Sequence, residues 1–248
     1  MMSQQQQKLA YKVGDMLNVN FQDEKSPWIT SSKTLMKLIG VLGMLLPILI
    51  YTFLVTSAGH TEVLESISHY FYTRSNPIFI IVVSLMAIFL MIYKYKEPID
   101  FYLSFFAGVA ALCVLLFPTD SIVDACNGLC GGHTIAFLED DKFRVGFHYV
   151  SAAVFLGILT YMCFFLFTRS DKMKPLRSTQ KNKRNIIYIV CGCLMTLALV
   201  VIFLGFLKVI PDDVYRAHKL TFWMETLAVE AFGFSWLVKG EFILKDKS

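Results

Sequence analysis

Long apolar runs separated by short polar segments are the most regular feature of the chain. Six of these runs are close to the roughly 20 residues that an α-helix needs to cross about 30 Å of hydrocarbon. They cover residues 35–55, 77–93, 99–117, 145–167, 186–209 and 218–238. The pattern therefore predicts an all-α, polytopic transmembrane helical bundle with six spans.

Polar residues flank this predicted bundle. We expect residues 1–33 to form a cytoplasmic N-terminal segment, residues 34–240 the transmembrane domain and residues 241–248 a cytoplasmic tail. The first segment has neither an early apolar core nor a small-residue cleavage site, which a secretory signal peptide would have. The first apolar run is therefore expected to act as the insertion signal.

Basic residues are distributed unevenly between the two sides of the predicted bundle. If the N-terminus is cytoplasmic, 17 of the 23 lysines and arginines lie on the cytoplasmic side and 6 on the outer side. Membrane proteins carry an excess of Lys and Arg in their short cytoplasmic loops. The distribution therefore predicts that both termini are cytoplasmic.

Composition agrees with a protein whose main partner is the lipid bilayer of a plasma or inner membrane. Of its 248 residues, 56% are apolar and 17% charged, whereas soluble domains carry about 25% charged residues. The net charge is only +4. Because no basic stripe is interleaved with aromatic residues, we expect no nucleic-acid partner.

Two glutamates, Glu225 and Glu230, lie inside the last predicted span. A charged residue at the centre of a spanning helix costs about 2.5–3.5 kcal/mol on insertion scales, so it normally faces the protein interior and has a partner. At 3.6 residues per turn the two side chains are separated by roughly 140° around the helix. They are therefore expected to face two different interfaces, either as hydrogen-bonded structural groups or as carboxyls that bind a proton or a ligand.

Other polar residues fall at similar depths near the outer side. We predict an outward-facing polar pocket with His148 and Glu225 at its floor and residues 69–76 as its lid. The candidate ligand-binding residues are His69, Tyr72, Asp120, His148, Glu225 and Glu230. The alternative is that His148 only hydrogen-bonds to a neighbouring helix.

Metal and cysteine chemistry has little support in the spacing of the side chains. No two of the five histidines are four residues apart, as they would be in H-x-x-x-H zinc sites. No metal and no other cofactor is predicted. Cys126 and Cys130, in the second outer loop, are a candidate disulfide outside the cytoplasm, with free thiols or a metal site as alternatives.

The chain also lacks the motifs of several enzyme and pump classes. It contains no Walker loop, no G-x-S-x-G and no kinase signature. Pro47 is the only proline inside a span, so the paired interrupted helices of many transporters are missing. These absences exclude an ATP-driven pump formed by this chain alone.

Three short segments resemble uncharacterised bacterial families of six-span membrane proteins. They are SISHYFYTRSN before the second span, LFPTD at the end of the third and FHYVSAAVF at the start of the fourth. The chain is similar, more distantly, to the DRAM/Frag-type membrane proteins. The resemblance covers about residues 35–240 and implies a helical bundle with an outer polar cluster around His148 and residues 117–120.

A local similarity points to a different class. The run YFYTRSNPIF is similar to the stretch that enters a helix in alkaline ceramidases, which are membrane hydrolases. Those enzymes hold zinc through paired histidines in the last span and an earlier Ser and His four residues apart. Neither pattern occurs here, and the last span has Glu225 and Glu230 instead.

Three functions are compatible with these features. The first is a non-catalytic membrane protein that binds a lipid or small ligand in the outer pocket. The second is a metal-dependent lipid hydrolase, with His69, Asp120, His148 and Glu225 as metal ligands or acid–base groups. The third is a small channel or proton-coupled carrier that uses Glu225 and Glu230.

Overall fold

The computed structural model describes residues 31–94, 97–122, 132–139, 141–170 and 179–245. Over these residues the protein is all-α, with no β-strand. Its helices are α1 (Ser32–Ala58), α2 (Asn76–Ile92), α3 (Pro98–Leu116), α4 (Lys142–Tyr161), α5 (Thr179–Phe206), α6 (Asp212–Ala217) and α7 (Leu220–Lys239). The disulfide candidates Cys126 and Cys130 lie outside the described residues.

Long helices form at each of the six positions that the apolar runs predict. Four of them are long and apolar enough to cross a membrane. These are α1, α3, α5, and α4 together with its π-helical continuation Met162–Leu166. Helix α2 is apolar but has only 17 residues. Helix α7 has 20 residues and contains both Glu225 and Glu230.

The six long helices pack as a closed ring. Each helix from α1 to α4 contacts the next one along the chain, α5 contacts α7, and α7 returns to contact α1. Because consecutive helices are neighbours, the chain runs up and down around the ring. This arrangement leaves a space in the middle that side chains from several helices can reach.

Glycines allow two backbones to approach closely where α7 meets α1. A Cβ atom built on Gly40 would lie 2.7 Å from the carbonyl oxygen of Gly233, and one on Gly233 would lie 2.7 Å from that of Gly40. Small residues at such positions let two backbones approach closely in a membrane bundle. This contact places the Gly40 surface of α1 against the helix that carries Glu225.

The connecting segments meet at two opposite ends of the ring. At one end, which we call the loop end, the segments that follow α1, α3 and α5 come together. There the amide of Phe222 donates to the carbonyl oxygen of Glu65 over 2.9 Å, and Lys219 Nζ lies 3.6 Å from Glu65 Oε1. This end holds His69, Asp120 and the first turns of α4 and α7.

At the other end, which we call the terminal end, the start of α1 meets the segment after α7. Lys33 pairs with Glu241 over 2.7 Å, and Ser32 Oγ donates to the carbonyl oxygen of Lys94 over 2.6 Å. Segments predicted to share one side of the membrane therefore lie at the same end of the ring.

The segment predicted to be a lid is an integral part of the structure. Ser68–Tyr72 forms a 3₁₀ helix, and the side chains of Tyr70, Tyr72, Thr73 and Ser75 are fully buried. The expectation of a lid over a pocket is therefore wrong. The aromatic residues insert between the helix ends, where they close the ring at the loop end.

Candidate functional site

A short segment before the 3₁₀ helix connects the loop end to α7. The backbone amide of Ile67 donates to Glu225 Oε2 over 2.7 Å. Ser66 Oγ accepts from the backbone amide of His69 over 3.3 Å, which is a local cap of the kind that serine often makes. The same Oγ lies 2.6 Å from His69 Nδ1. Glu225 and His69 are thus fixed by adjacent residues of one segment.

Asp120 receives hydrogen bonds from two directions. Its Oδ1 accepts from Thr119 Oγ1 over 2.7 Å and from the Tyr149 hydroxyl over 2.8 Å, and its Oδ2 lies 3.8 Å from His69 Nε2. Burial alone would raise the pKa of the Asp120 carboxyl, but His69 and the two hydroxyls hold that pKa well below its usual range. Asp120 is therefore an ionised carboxylate at neutral pH.

The tautomer of the buried His148 follows from its partners. Its Nδ1 lies 2.8 Å from the carbonyl oxygen of Phe117 and 3.2 Å from that of Val114. Because a carbonyl oxygen can only accept, Nδ1 carries the hydrogen. The Nε2 atom of a neutral His148 is then an acceptor. This geometry agrees with the alternative in which His148 bonds to a neighbouring helix, and it leaves one ring nitrogen for a ligand.

A cavity of about 60 Å³ lies inside the ring, next to these groups. Five of the long helices and the segment before the 3₁₀ helix contribute to its wall. The lining residues are Leu46, Ile67, Ser68, Phe79, Val83, Met86, Ala111, Val114, Ala152, Phe155, Leu156, Glu225 and Val229. Among these described residues Glu225 is the only one with a charged side chain, so its carboxyl faces an otherwise almost wholly apolar space.

The Tyr72 hydroxyl connects the end of α3 to the start of α4 at the loop end. Its hydroxyl donates to the carbonyl oxygen of Thr119 over 2.5 Å and accepts from Arg144 Nη1 over 3.0 Å. Arg144 also donates to the carbonyl oxygens of Pro118, over 2.5 Å, and Glu139, over 3.0 Å. These bonds fix the end of α3 against the start of α4 and so position Asp120.

Glu230 is not brought together with the other candidates. It is partly buried on α7, and it does not belong to the cavity wall. The helical geometry explains this, because five residues place the two side chains on different sides of the helix. Of the candidate residues, His69, Asp120, His148 and Glu225 gather near one another at the loop end.

Within the described residues, no group of three or more His, Cys, Asp and Glu side chains is arranged to hold a metal ion. The four candidates are instead bonded to backbone groups and to hydroxyls. The arrangement can therefore accept hydrogen bonds and transfer protons through side chains that are already positioned.

Sequence reasoning missed several residues that shape this site. Ser66, Tyr149 and Arg144 all make bonds to the candidate residues or to the segments that hold them. The position of Ser66, three residues before His69, is a spacing typical of local caps and could have indicated it. The other two depend on which helices are neighbours, and the sequence does not contain that information directly.

Comparisons of the chain with protein-family models, with curated proteins and with solved structures give no match.

Proposed function

We propose that this protein is an integral membrane protein that binds a lipid or another small amphiphile at the loop end of the ring. The observation that carries this proposal is the position of Glu225 in the wall of an apolar cavity, beside the polar groups of His69, Asp120 and His148. Small-molecule sites are typically apolar concavities with a few polar groups that fix the orientation of the ligand. Here the apolar part would enter the cavity and the polar part would meet the carboxylates.

The proposal includes six spans, with both termini in the cytoplasm and the loop end on the outer side. It is supported by the closed ring of six long helices and by the meeting of the connecting segments at two opposite ends. The excess of lysine and arginine in the segments assigned to the inner side supports the orientation with both termini in the cytoplasm. We propose the plasma or inner membrane as the location.

The binding function is tested by native mass spectrometry of the protein extracted in a mild detergent. We expect a co-purified amphiphile on the unmodified protein and on the Glu230→Gln variant, which changes a glutamate of the same helix outside the cavity. Glu225→Gln should lose most of this occupancy. Absence of any bound molecule from the unmodified protein, or equal occupancy in all three, would contradict the proposal.

We propose acyl-ester hydrolysis as a second candidate function, on the geometry of three side chains. Because Asp120 is ionised, a hydrogen on His69 Nε2 is favoured, and Nδ1 can then accept the hydroxyl hydrogen of Ser66 over 2.6 Å. Ser66 Oγ would bond to an ester carbonyl carbon as its proton moves to His69. The alcohol would leave with that proton, and water would release the acid with His69 as base.

A fluorophosphonate probe tests this candidate, because it forms a stable adduct only with an activated serine. Labelling is expected at Ser66 and should disappear in Ser66→Ala. It should persist in Ser68→Ala, a neighbouring serine with no bond to His69. If the unmodified protein is not labelled, Ser66 acts only as a structural cap.

A further inference from the structure

The hydrogen-bonding capacity of the site indicates which head group it can take, and this inference depends on the proposed binding function. Glu225 Oε2 accepts from Ile67, but no residue in the described part of the chain donates to its Oε1. Asp120 is a second carboxylate near the cavity but outside its wall, already bonded to Thr119 and Tyr149, and His148 Nε2 is a further acceptor. The polar part of the site is therefore rich in acceptors.

The protein offers few hydrogen-bond donors at this site. Neither lysine nor arginine is among the described residues of the cavity wall. The nearby cations are engaged elsewhere: Arg144 bonds to backbone carbonyls and Tyr72, Arg74 donates to the carbonyl oxygen of Ser57 over 2.8 Å, and Lys219 lies 3.6 Å from Glu65. Among the described wall residues only Ser68 has a hydroxyl, so a ligand must supply any charged donor itself.

We propose that the site selects amphiphiles with a primary amine head group, with the ammonium donating to Glu225 Oε1. An ammonium has three donors, no acceptor and a positive charge, which matches two carboxylates in a setting with few other donors. A carboxylic acid or phosphate head group would place a negative charge beside Glu225 and Asp120. An alcohol can donate only one hydrogen bond and has no charge.

The size of the cavity limits the apolar part of the ligand. Its volume of about 60 Å³ is well below that of the engineered apolar cavity of roughly 150 Å³ that binds benzene. It therefore holds a short aliphatic segment. Short, water-soluble compounds are suitable probes, since they do not form micelles.

The test is isothermal titration calorimetry of the whole protein in nanodiscs of zwitterionic lipid, with empty nanodiscs as the blank. The probes are n-hexylamine, 1-hexanol and hexanoate. We expect the amine to bind at least tenfold more tightly than the alcohol, and hexanoate to bind most weakly. Glu225→Gln should weaken amine binding at least tenfold and change alcohol binding less than threefold, whereas Glu230→Gln should change neither.

Glu225→Asp provides a second variant, because it keeps the charge and shortens the side chain. It should bind the amine more weakly than the unmodified protein but retain the preference for amine over alcohol. Hexanoate binding as tightly as hexylamine, or an amine affinity that Glu225→Gln does not change, overturns the proposal. If none of the three probes binds while a native amphiphile still co-purifies in a Glu225-dependent way, the head-group inference is wrong and the binding function stands.

Discussion

Glu225 joins two parts of the molecule that lie far apart in the sequence. Its Oε2 accepts the amide hydrogen of Ile67, 158 residues earlier in the chain, while the same carboxyl faces the cavity. One oxygen therefore has a structural role, and the other is the acceptor that we propose for a ligand. A charged side chain in a spanning helix is normally paired in this way, because an unpaired one is costly.

Arg144 fixes the loop end through hydrogen bonds that a lysine cannot reproduce. Its guanidinium reaches the carbonyl oxygens of Pro118, Thr119 and Glu139 as well as the Tyr72 hydroxyl. We expect Arg144→Lys to lower the free energy of unfolding by about 1–3 kcal/mol, because at least one of these acceptors loses its donor. Chemical unfolding in detergent, followed by circular dichroism, measures this change.

The control for this prediction is Arg216→Lys, which changes an exposed arginine of α6. It should alter the unfolding free energy by less than about 0.5 kcal/mol, as surface substitutions usually do. Equal effects of the two substitutions would show that the bonds of Arg144 do not stabilise the fold.

Depth along the spans predicts which of these polar side chains lie at one end of the bundle, but not what they contact. His69, Asp120, His148 and Glu225 were placed near the outer side by counting residues along the spans, and they gather at the loop end. The same rule predicts Tyr72 and Glu230 as ligand-binding residues. Tyr72 instead hydrogen-bonds to the backbone of Thr119, and Glu230 lies away from the cavity. Depth restricts position along the membrane normal, whereas the direction of a side chain depends on helix neighbours.

Among the helices, the contact between α1 and α7 depends on Gly40 and Gly233, which have no side chain. A Cβ atom on Gly233 would lie 2.6 Å from Met44 Cγ and 2.7 Å from the carbonyl oxygen of Gly40, so Gly233→Ala must force the helices apart. We expect a loss of about 1–3 kcal/mol in the free energy of unfolding, as overpacked sites show. The same chemical unfolding assay applies.

Gly157→Ala is the matched control, because it introduces the same methyl group into helix α4. Nothing lies within 4 Å of a Cβ atom at Gly157, and alanine favours a helix over glycine by up to about 1 kcal/mol. We expect it to leave stability unchanged or raise it. A similar loss in both variants would mean that the close contact at Gly233 is unimportant.

The stacked rings of His60 and His133 make part of the loop end sensitive to pH. Their centroids are 4.1 Å apart, and burial, together with the nearby His60, lowers the pKa of His133 below its ordinary value of 6.5. The folded state therefore binds fewer protons than the unfolded state at His133. Its contribution to stability is present above about pH 6.5 and is lost as the pH falls through the lowered pKa.

Hydrogen exchange of the backbone amides of residues 132–139 measures this effect. After correction for the intrinsic pH dependence of exchange, protection should decrease as the pH is lowered from 7 to 5. The decrease should be much smaller in His133→Gln, which cannot be protonated. If both proteins show the same dependence, another group is responsible.

Most of the helix positions could be predicted from the apolar runs, and the exceptions have physical causes. Helix α5 begins at Thr179, seven residues before its predicted start at 186, because its first turns are polar and hydropathy detects only the part expected in hydrocarbon. Residues 69–76 are predicted as a lid from their place in a polar outer loop, yet they include most of the 3₁₀ helix Ser68–Tyr72. Burial of Tyr70 and Tyr72 between helix ends is a tertiary effect that a local pattern does not contain.

For the whole molecule, the proposed orientation predicts which residues a membrane-impermeant maleimide can reach in intact cells. In a background without the natural cysteines, Glu62→Cys at the loop end should react directly. Lys183→Cys at the terminal end should react only after the membrane is permeabilised. Both positions are exposed in the structure, so a difference between them reports the side of the membrane.

Arg216→Cys, in the exposed helix α6, provides a second position at the loop end and should behave like Glu62→Cys. The reverse pattern would invert the orientation. Different behaviour of positions 62 and 216 would contradict an even number of crossings between them.

The ring and the order of its helices were not predictable in the same way. The sequence indicates six apolar segments and a direction, but it does not say that α7 returns to α1 or that α5 contributes nothing to the cavity wall. Small residues such as Gly40 and Gly233 indicate where two helices can approach closely, but they do not indicate which helix is the neighbour. The site depends on that closure, because Glu225 reaches the cavity only from α7.

The closure of the ring also has a consequence for the order of events during synthesis. Helices α1 to α5 emerge from the ribosome before α7, so during that interval the chain has no Glu225 and the Gly40 surface of α1 is uncovered. The cavity forms only when α7 docks against α1. Under the proposed binding function, a ligand already present in the bilayer would be enclosed at that moment, and the newly made protein would carry its first ligand from the membrane in which it was assembled.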